Sequence, residues 1–136
     1  MDNSVYVLDS FALMAHFGGE NGGKKVLELL EQAEAGKGTL AMSLINVGEM
    51  AYLMSRERGR NTAESMLEDL RLLPISFFDA TEERILAAAW IKSEYSVSYA
   101  DSFAISLAKE LNATLVSGDP EFRAVEKIVP VLWLEK

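Results

Sequence analysis

Four acidic residues, Asp9, Glu49, Asp101 and Asp119, stand among apolar neighbours or just after a β-type run. Most other acids of the chain fall on polar stretches such as Glu28-Glu31-Glu34 or Glu68-Asp69, where a solvated helix face accounts for them. Gathered at one point, the four would form a carboxylate cage. One carboxylate pair at ~4 Å repels by roughly 4 kcal/mol at an effective dielectric of about 20, and a hard divalent cation removes that cost. All-oxygen ligation selects magnesium or manganese over zinc or copper. There is no cysteine, and His16 is the one histidine, so nitrogen or sulfur ligation is essentially excluded. His16 lies in an apolar segment and reads as structural.

Taken singly, three of these acids have ordinary local readings. Asp9 follows a strand-like run and can cap the next helix. Asp119 precedes Pro120, a common way to start a helix. Asp101 lies three residues after Ser98, a capping-box-like spacing. Glu49 differs. It sits inside a helical pattern between Ile45 and Leu53, with no Lys or Arg one turn away on either side. An unpaired buried carboxylate is costly, so Glu49 needs a compensating partner and carries most of the weight of the cage reading.

The elements that would position these acids follow from periodicity. Strands are predicted at residues 4–8, 39–42, 75–78, 114–116 and 128–134, each short and nearly continuously apolar. Helices are predicted at 11–17, 24–35, 44–58 with Ser43 as N-cap, and 62–73 ended by Pro74. Further helices are expected at 80–92, opened by an Asp79/Glu82 capping pair, at 99–111 capped by Ser98, and briefly at 120–125. The pairs Gly18-Gly19 and Gly22-Gly23 follow a helical stretch and read as a flexible loop. The alternation predicts an α/β fold: three layers, α/β/α, around a short, mostly parallel sheet of about five strands. In such a sheet the carboxyl ends of the strands and the helix N-termini share one edge, where ligands bind. The four acids would meet there.

At 136 residues the chain suits one domain spanning 1–136. The absence of cysteine fits a reducing compartment. The N-terminus lacks the basic region of a signal peptide, and no apolar stretch is long enough to span a bilayer comfortably, so a cytoplasmic protein without membrane association is expected. The net charge of −8 argues against a nucleic-acid substrate. Two things weaken that objection: a ligated cation would neutralise charge where it matters, and Arg56-Glu57-Arg58-Gly59-Arg60 concentrates basic residues locally.

Taken together, these residues resemble the PIN-domain ribonucleases, and within them the short VapC-type toxins of toxin–antitoxin pairs. The similarity runs through Val5-Tyr6-Val7-Leu8-Asp9-Ser10, Ser43-Leu44-Ile45-Asn46-Val47-Gly48-Glu49, Ser98-Tyr99-Ala100-Asp101-Ser102-Phe103-Ala104 and Leu115-Val116-Ser117-Gly118-Asp119-Pro120-Glu121-Phe122. It implies a PIN-like domain and a metal-dependent endoribonuclease. Asp9, Glu49, Asp101 and Asp119 would hold Mg²⁺ or Mn²⁺ or its bound water, and the Ser10 and Ser117 hydroxyls would orient carboxylates or contact phosphate. It further implies an RNA substrate, a VapB-type antitoxin whose Arg or Lys could enter the acidic site, and a homodimer. One departure is Phe11, which stands where the family often has a small polar residue and removes one hydroxyl near metal or substrate.

Other classes remain to be weighed. The first alternative is a non-cleaving PIN-like module that binds RNA or protein. A phosphorylatable receiver domain would need an acid pair after the first strand and a distal Lys, and neither is evident. A Rossmann or P-loop nucleotide site is disfavoured, because neither glycine fingerprint occurs. Met50, Met54, Tyr52, Met66 and Trp90 lie on predicted helices and read first as core; any that are exposed would suit a groove for an antitoxin helix.

Overall fold

The computed structural model describes residues 4–135. Five strands, β1 (Val5–Leu8), β2 (Thr39–Ser43), β3 (Ile75–Phe78), β4 (Thr114–Ser117) and β5 (Val131–Trp133), form one sheet in the order β3-β2-β1-β4-β5. All four pairings are parallel, including β1 on β4 with Leu8 opposite Val116. Helices α1 (Ser10–Phe17) and α2 (Gly23–Glu34) link β1 to β2, and α3 (Leu44–Arg58) and α4 (Arg60–Arg71) link β2 to β3. Helices α5 (Glu82–Glu94) and α6 (Tyr99–Leu111) carry the chain back across the sheet to β4, and a 3-10 helix (Pro120–Val125) leads to β5.

Alternation along each strand feeds two separate cores. Leu8, Leu40, Met42 and Val116 pack with α1 to α4, while Val7, Ala41 and Leu115 pack with α5, α6 and the 3-10 helix. Adjacent strand residues therefore point to opposite faces, both covered, as an all-parallel sheet requires. This is the expected α/β/α sandwich. Among the described residues no helix is long and apolar enough to cross a membrane.

Several local expectations need correction. Helix α5 is capped by Thr81, whose hydroxyl accepts from the Arg84 N–H at 3.2 Å, and not by the Asp79/Glu82 pair. The last strand is shorter than residues 128–134, because the Ile128 and Val129 N–H groups turn back to the Val125 carbonyl before the strand begins. Gly22 and Gly23 are not part of a loose loop: both are buried, and a Cβ on Gly23 would lie 2.6 Å from the Ala15 carbonyl oxygen. The missing side chain of Gly23 lets α2 close against α1. That of Gly22 makes room for the backbone at Leu134 and Glu135, where a Cβ would lie 2.7 Å from the Glu135 carbonyl oxygen. His16 is half-buried and meets Phe17 edge-on at 5.1 Å, as expected of a structural residue.

Candidate metal centre

In the strand order, connections run one way from β1 to β2 and β3, then reverse to β4 and β5. The reversal falls between β1 and β4, and ligands in open α/β sheets bind at that switch point. Asp9 follows β1 and Asp119 comes just after β4, so the two acids flank it. Ser43 and Ser98 start the helices that deliver Glu49 and Asp101 to the same edge, each hydroxyl accepting a backbone N–H at 3.1 Å.

All four predicted acids line one cavity of about 480 Å³, together with Ser10, Ser98 and Glu121. Asp9 is 1% exposed; its carboxylate accepts the Ala12 N–H at 2.9 Å and is further held by the Ser117 hydroxyl. Ser117 also accepts the Asp119 N–H at 3.0 Å, so one hydroxyl ties the first acid to the fourth. Glu49 is half-buried and points to the other three; its compensating partner is Ser10, whose hydroxyl donates to Oε1. Asp119 caps the 3-10 helix by accepting the Glu121 N–H at 2.9 Å.

Burial is the main force on the two most enclosed carboxyls. It pushes Asp9 up to about 7, against the Ser117 and Ala12 hydrogen bonds, with help from the charges of Asp119 and Glu49. It pushes Asp101 up to about 8, reinforced by a hydrogen bond with Glu121 and by the charges of Asp9, Asp119 and Glu121. These are acids that feel one another across one small space.

Glu20, Glu57 and Glu121 also line the cavity, and Glu121 is a site acid to which the sequence assigned no role. Its carboxylate accepts the Ser98 N–H, so it bridges the loop of Asp119 to the start of α6. Its spacing from Asp119 carried no signal, because the partner lies far away in the chain. Asn46 is fully buried on α3, one turn before Glu49, and its amide donates to the Ala100 carbonyl at 3.1 Å. It thereby ties the helix of Glu49 to that of Asp101. Arg58 is the one basic side chain lining the cavity among the described residues.

The donor chemistry fits a hard divalent cation: the carboxylates and hydroxyls that line the cavity offer oxygen, and neither histidine nor cysteine is among its described lining residues. Among the described residues, no three His, Cys, Asp or Glu side chains already stand as a closed ligand group. The acids converge on the cavity without being drawn together.

Residues 6–128 match the PIN domain family, and the chain belongs to it. Among solved structures, it is similar to VapBC2 of Rickettsia felis, described as bound to a DNA fragment from its promoter, at 22% identity and a TM-score of 0.72, covering 96% of this chain and 99% of that one. It is also similar to VapC20 of Mycobacterium tuberculosis, described as a Sarcin-Ricin loop cleaving toxin, at 19% identity and a TM-score of 0.67, covering 89% and 94%. A third is FitAcB of Neisseria gonorrhoeae, at 21% identity and a TM-score of 0.64, covering 93% and 96%. At these identities the likeness is one of fold. No curated protein matches the sequence significantly.

Proposed function

We propose that the protein is a cytoplasmic, metal-dependent endoribonuclease and the toxin of a VapBC-type pair. The observation that carries the reading is the convergence of Asp9, Glu49, Asp101 and Asp119, from four separate stretches of chain, on one cavity at the switch point. Asp9, Glu49, Asp101 and Asp119 would hold Mg²⁺ or Mn²⁺, which when bound lowers the pKa of water and offsets charge building on the phosphate. The chain's own contribution is arrangement. Ser117 and the Ala12 N–H fix the Asp9 carboxylate, Ser10 fixes Glu49, and Ser98 with Glu121 fixes the start of α6 beneath Asp101. Arg58 supplies the fixed positive charge at the cavity for an RNA phosphate to approach.

A VapB-type antitoxin partner is supported by fold likeness to chains described as toxin–antitoxin complexes, including one from Klebsiella pneumoniae. Of the residues considered for such a groove, Met50, Met54 and Met66 are buried, whereas Tyr52 and Trp90 are exposed. Tyr52 on α3 and Trp90 on α5 belong to helices that pack into different cores, so they offer separate contacts rather than one groove.

The test is cleavage of single-stranded RNA by purified protein with Mg²⁺, Mn²⁺ or EDTA, beside Asp9→Asn and Asp101→Asn. Cutting is expected with either metal and in neither variant. Cutting that persists in EDTA or in both variants rules the metal mechanism out, and binding without cutting favours the non-cleaving alternative.

A further inference from the structure

Phe11 is the residue at which this chain departs from its family's pattern, and its ring has a definite place. It follows Ser10 in the first turn of α1 and lines the carboxylate cavity. The same ring lines a second, shallow cavity of about 690 Å³, formed with the turn Gly19-Glu20-Asn21 and with Asp119 and Pro120. Phe11, Glu20 and Asp119 border both spaces, and Phe11 is the aromatic one of the three.

The ring is also held in place. A Cβ on Gly118 would fall 2.4 Å from its Cε1 and 2.6 Å from its Cζ, so the missing side chain of Gly118 is what lets the ring edge close on the loop between Ser117 and Asp119. An aromatic surface fixed before binding loses little freedom when a ligand stacks on it.

The chemistry of the second cavity narrows its occupant. Its charged lining side chains are the carboxylates of Glu20 and Asp119, and among the described residues no basic side chain lines it. It would repel a phosphate. A flat, uncharged group attached to a phosphate that lies on the other side of Phe11 meets both requirements.

We infer that this cavity is a nucleobase subsite, in which the base flanking the scissile phosphate of single-stranded RNA stacks against Phe11. The inference rests on the ribonuclease reading and deepens it, making Phe11 a determinant of where along a strand the cut falls. Base–aromatic stacking is tolerant of base identity, so Phe11 selects an unpaired, splayed base rather than a particular letter.

The test uses short single-stranded RNAs carrying one 2-aminopurine, moved stepwise through the sequence around a mapped cut, titrated in EDTA against wild type, Phe11→Tyr and Phe11→Leu. The expected result is quenching at one position next to the cut, kept by Phe11→Tyr and lost in Phe11→Leu, with affinity weaker by about 5- to 150-fold. In Mg²⁺, Phe11→Leu should raise KM far more than it lowers kcat. Wild-type protein that quenches no position overturns the subsite whatever the variants do, as does a folded Phe11→Leu that binds like wild type. If wild type cuts RNA and Phe11 proves indifferent, only the subsite fails. If it quenches through Phe11 but never cuts, the subsite stands and the nuclease reading fails.

Discussion

The Asp9 and Asp101 carboxyls, held up at about 7 and about 8, make the cation-free protein sensitive to pH. Their ordinary values lie near 4, so between about pH 4 and 8 the folded chain keeps protons that the unfolded chain has released. Stability of the cation-free protein should therefore be greatest at the acid end of that window and decline as pH rises through it, each unit of displacement being worth about 1.4 kcal/mol. Thermal unfolding in EDTA checks this: the midpoint should drop with rising pH, and Asp101→Asn should flatten the drop. A midpoint that climbs from about pH 5 to 8 contradicts the buried acid cluster. Ser117 gives a second test at this scale. It holds Asp9 with one hydroxyl and accepts from the Asp119 N–H, so Ser117→Ala should weaken Mn²⁺ binding and activity by about 10- to 100-fold while leaving the fold intact. Titration calorimetry with Mn²⁺ reads it. The capping roles of Asp9 and Asp119 were legible because caps are read from neighbours in the chain, whereas the capping box read at Ser98 and Asp101 does not close, because Glu121 takes the Ser98 N–H. That role of Glu121 was not legible, because its contact with Ser98 closes only in the folded molecule.

Helices α3 and α6 carry the two acids that must stay level with the sheet edge, and Asn46 is the tie between them. Its Nδ2 reaches the Ala100 carbonyl, and its Oδ1 is buried without a hydrogen-bond partner among the described residues. Asn46→Ala leaves that carbonyl without its side-chain donor, though it also removes the unsatisfied oxygen. The expected net cost is about 1–3 kcal/mol in chemical unfolding, together with weaker Mn²⁺ binding as Glu49 and Asp101 drift apart. Unchanged metal affinity in a folded Asn46→Ala protein would show that the tie is not what sets their spacing. At this scale the strands and most helices were readable from periodicity, and α3 was placed to the residue. The bounds of α4, read as 62–73 and found at Arg60–Arg71, and those of α5 and β5 were not. Around α5, the sequence reading took Asp79 as the cap, whereas Thr81, two residues on, holds that place and starts the helix later. Around β5, the turn from Val125 consumed residues whose apolar pattern looked like strand. Gly22 and Gly23 were misread for a related reason: close approach of backbone from distant parts of the chain, α1 for Gly23 and Leu134-Glu135 for Gly22, leaves no mark in a single sequence.

For the whole molecule, the parallel sheet and its switch point explain how acids from four stretches of chain meet, and that much followed from element order. What covers the surface did not. Helix α5 packs one side on α6 and leaves Ile85, Leu86 and Trp90 exposed. The homodimer proposed by resemblance is checked by sedimentation: wild type that stays a monomer at high concentration makes the dimer expectation wrong, and a dimer that Trp90→Glu shifts toward monomer would assign it to this face. The net charge of −8 also bears on substrate capture. Arg58→Ala should raise KM for RNA with little change in kcat, and the gap between the two proteins should narrow as salt is raised, since a screened charge contributes less.

The position of β4 has a consequence in time. Strand β1 forms its pairing with β2 early in the chain, yet the space beside it on the other edge stays open until Thr114–Ser117 emerges and docks there. Asp119 arrives with it. A chain still being synthesised, or one cut short before that strand, would hold Asp9, Glu49 and even Asp101 without the last wall of the cavity. A protein proposed to destroy RNA would then be harmless to the ribosome making it until that strand and Asp119 have been made.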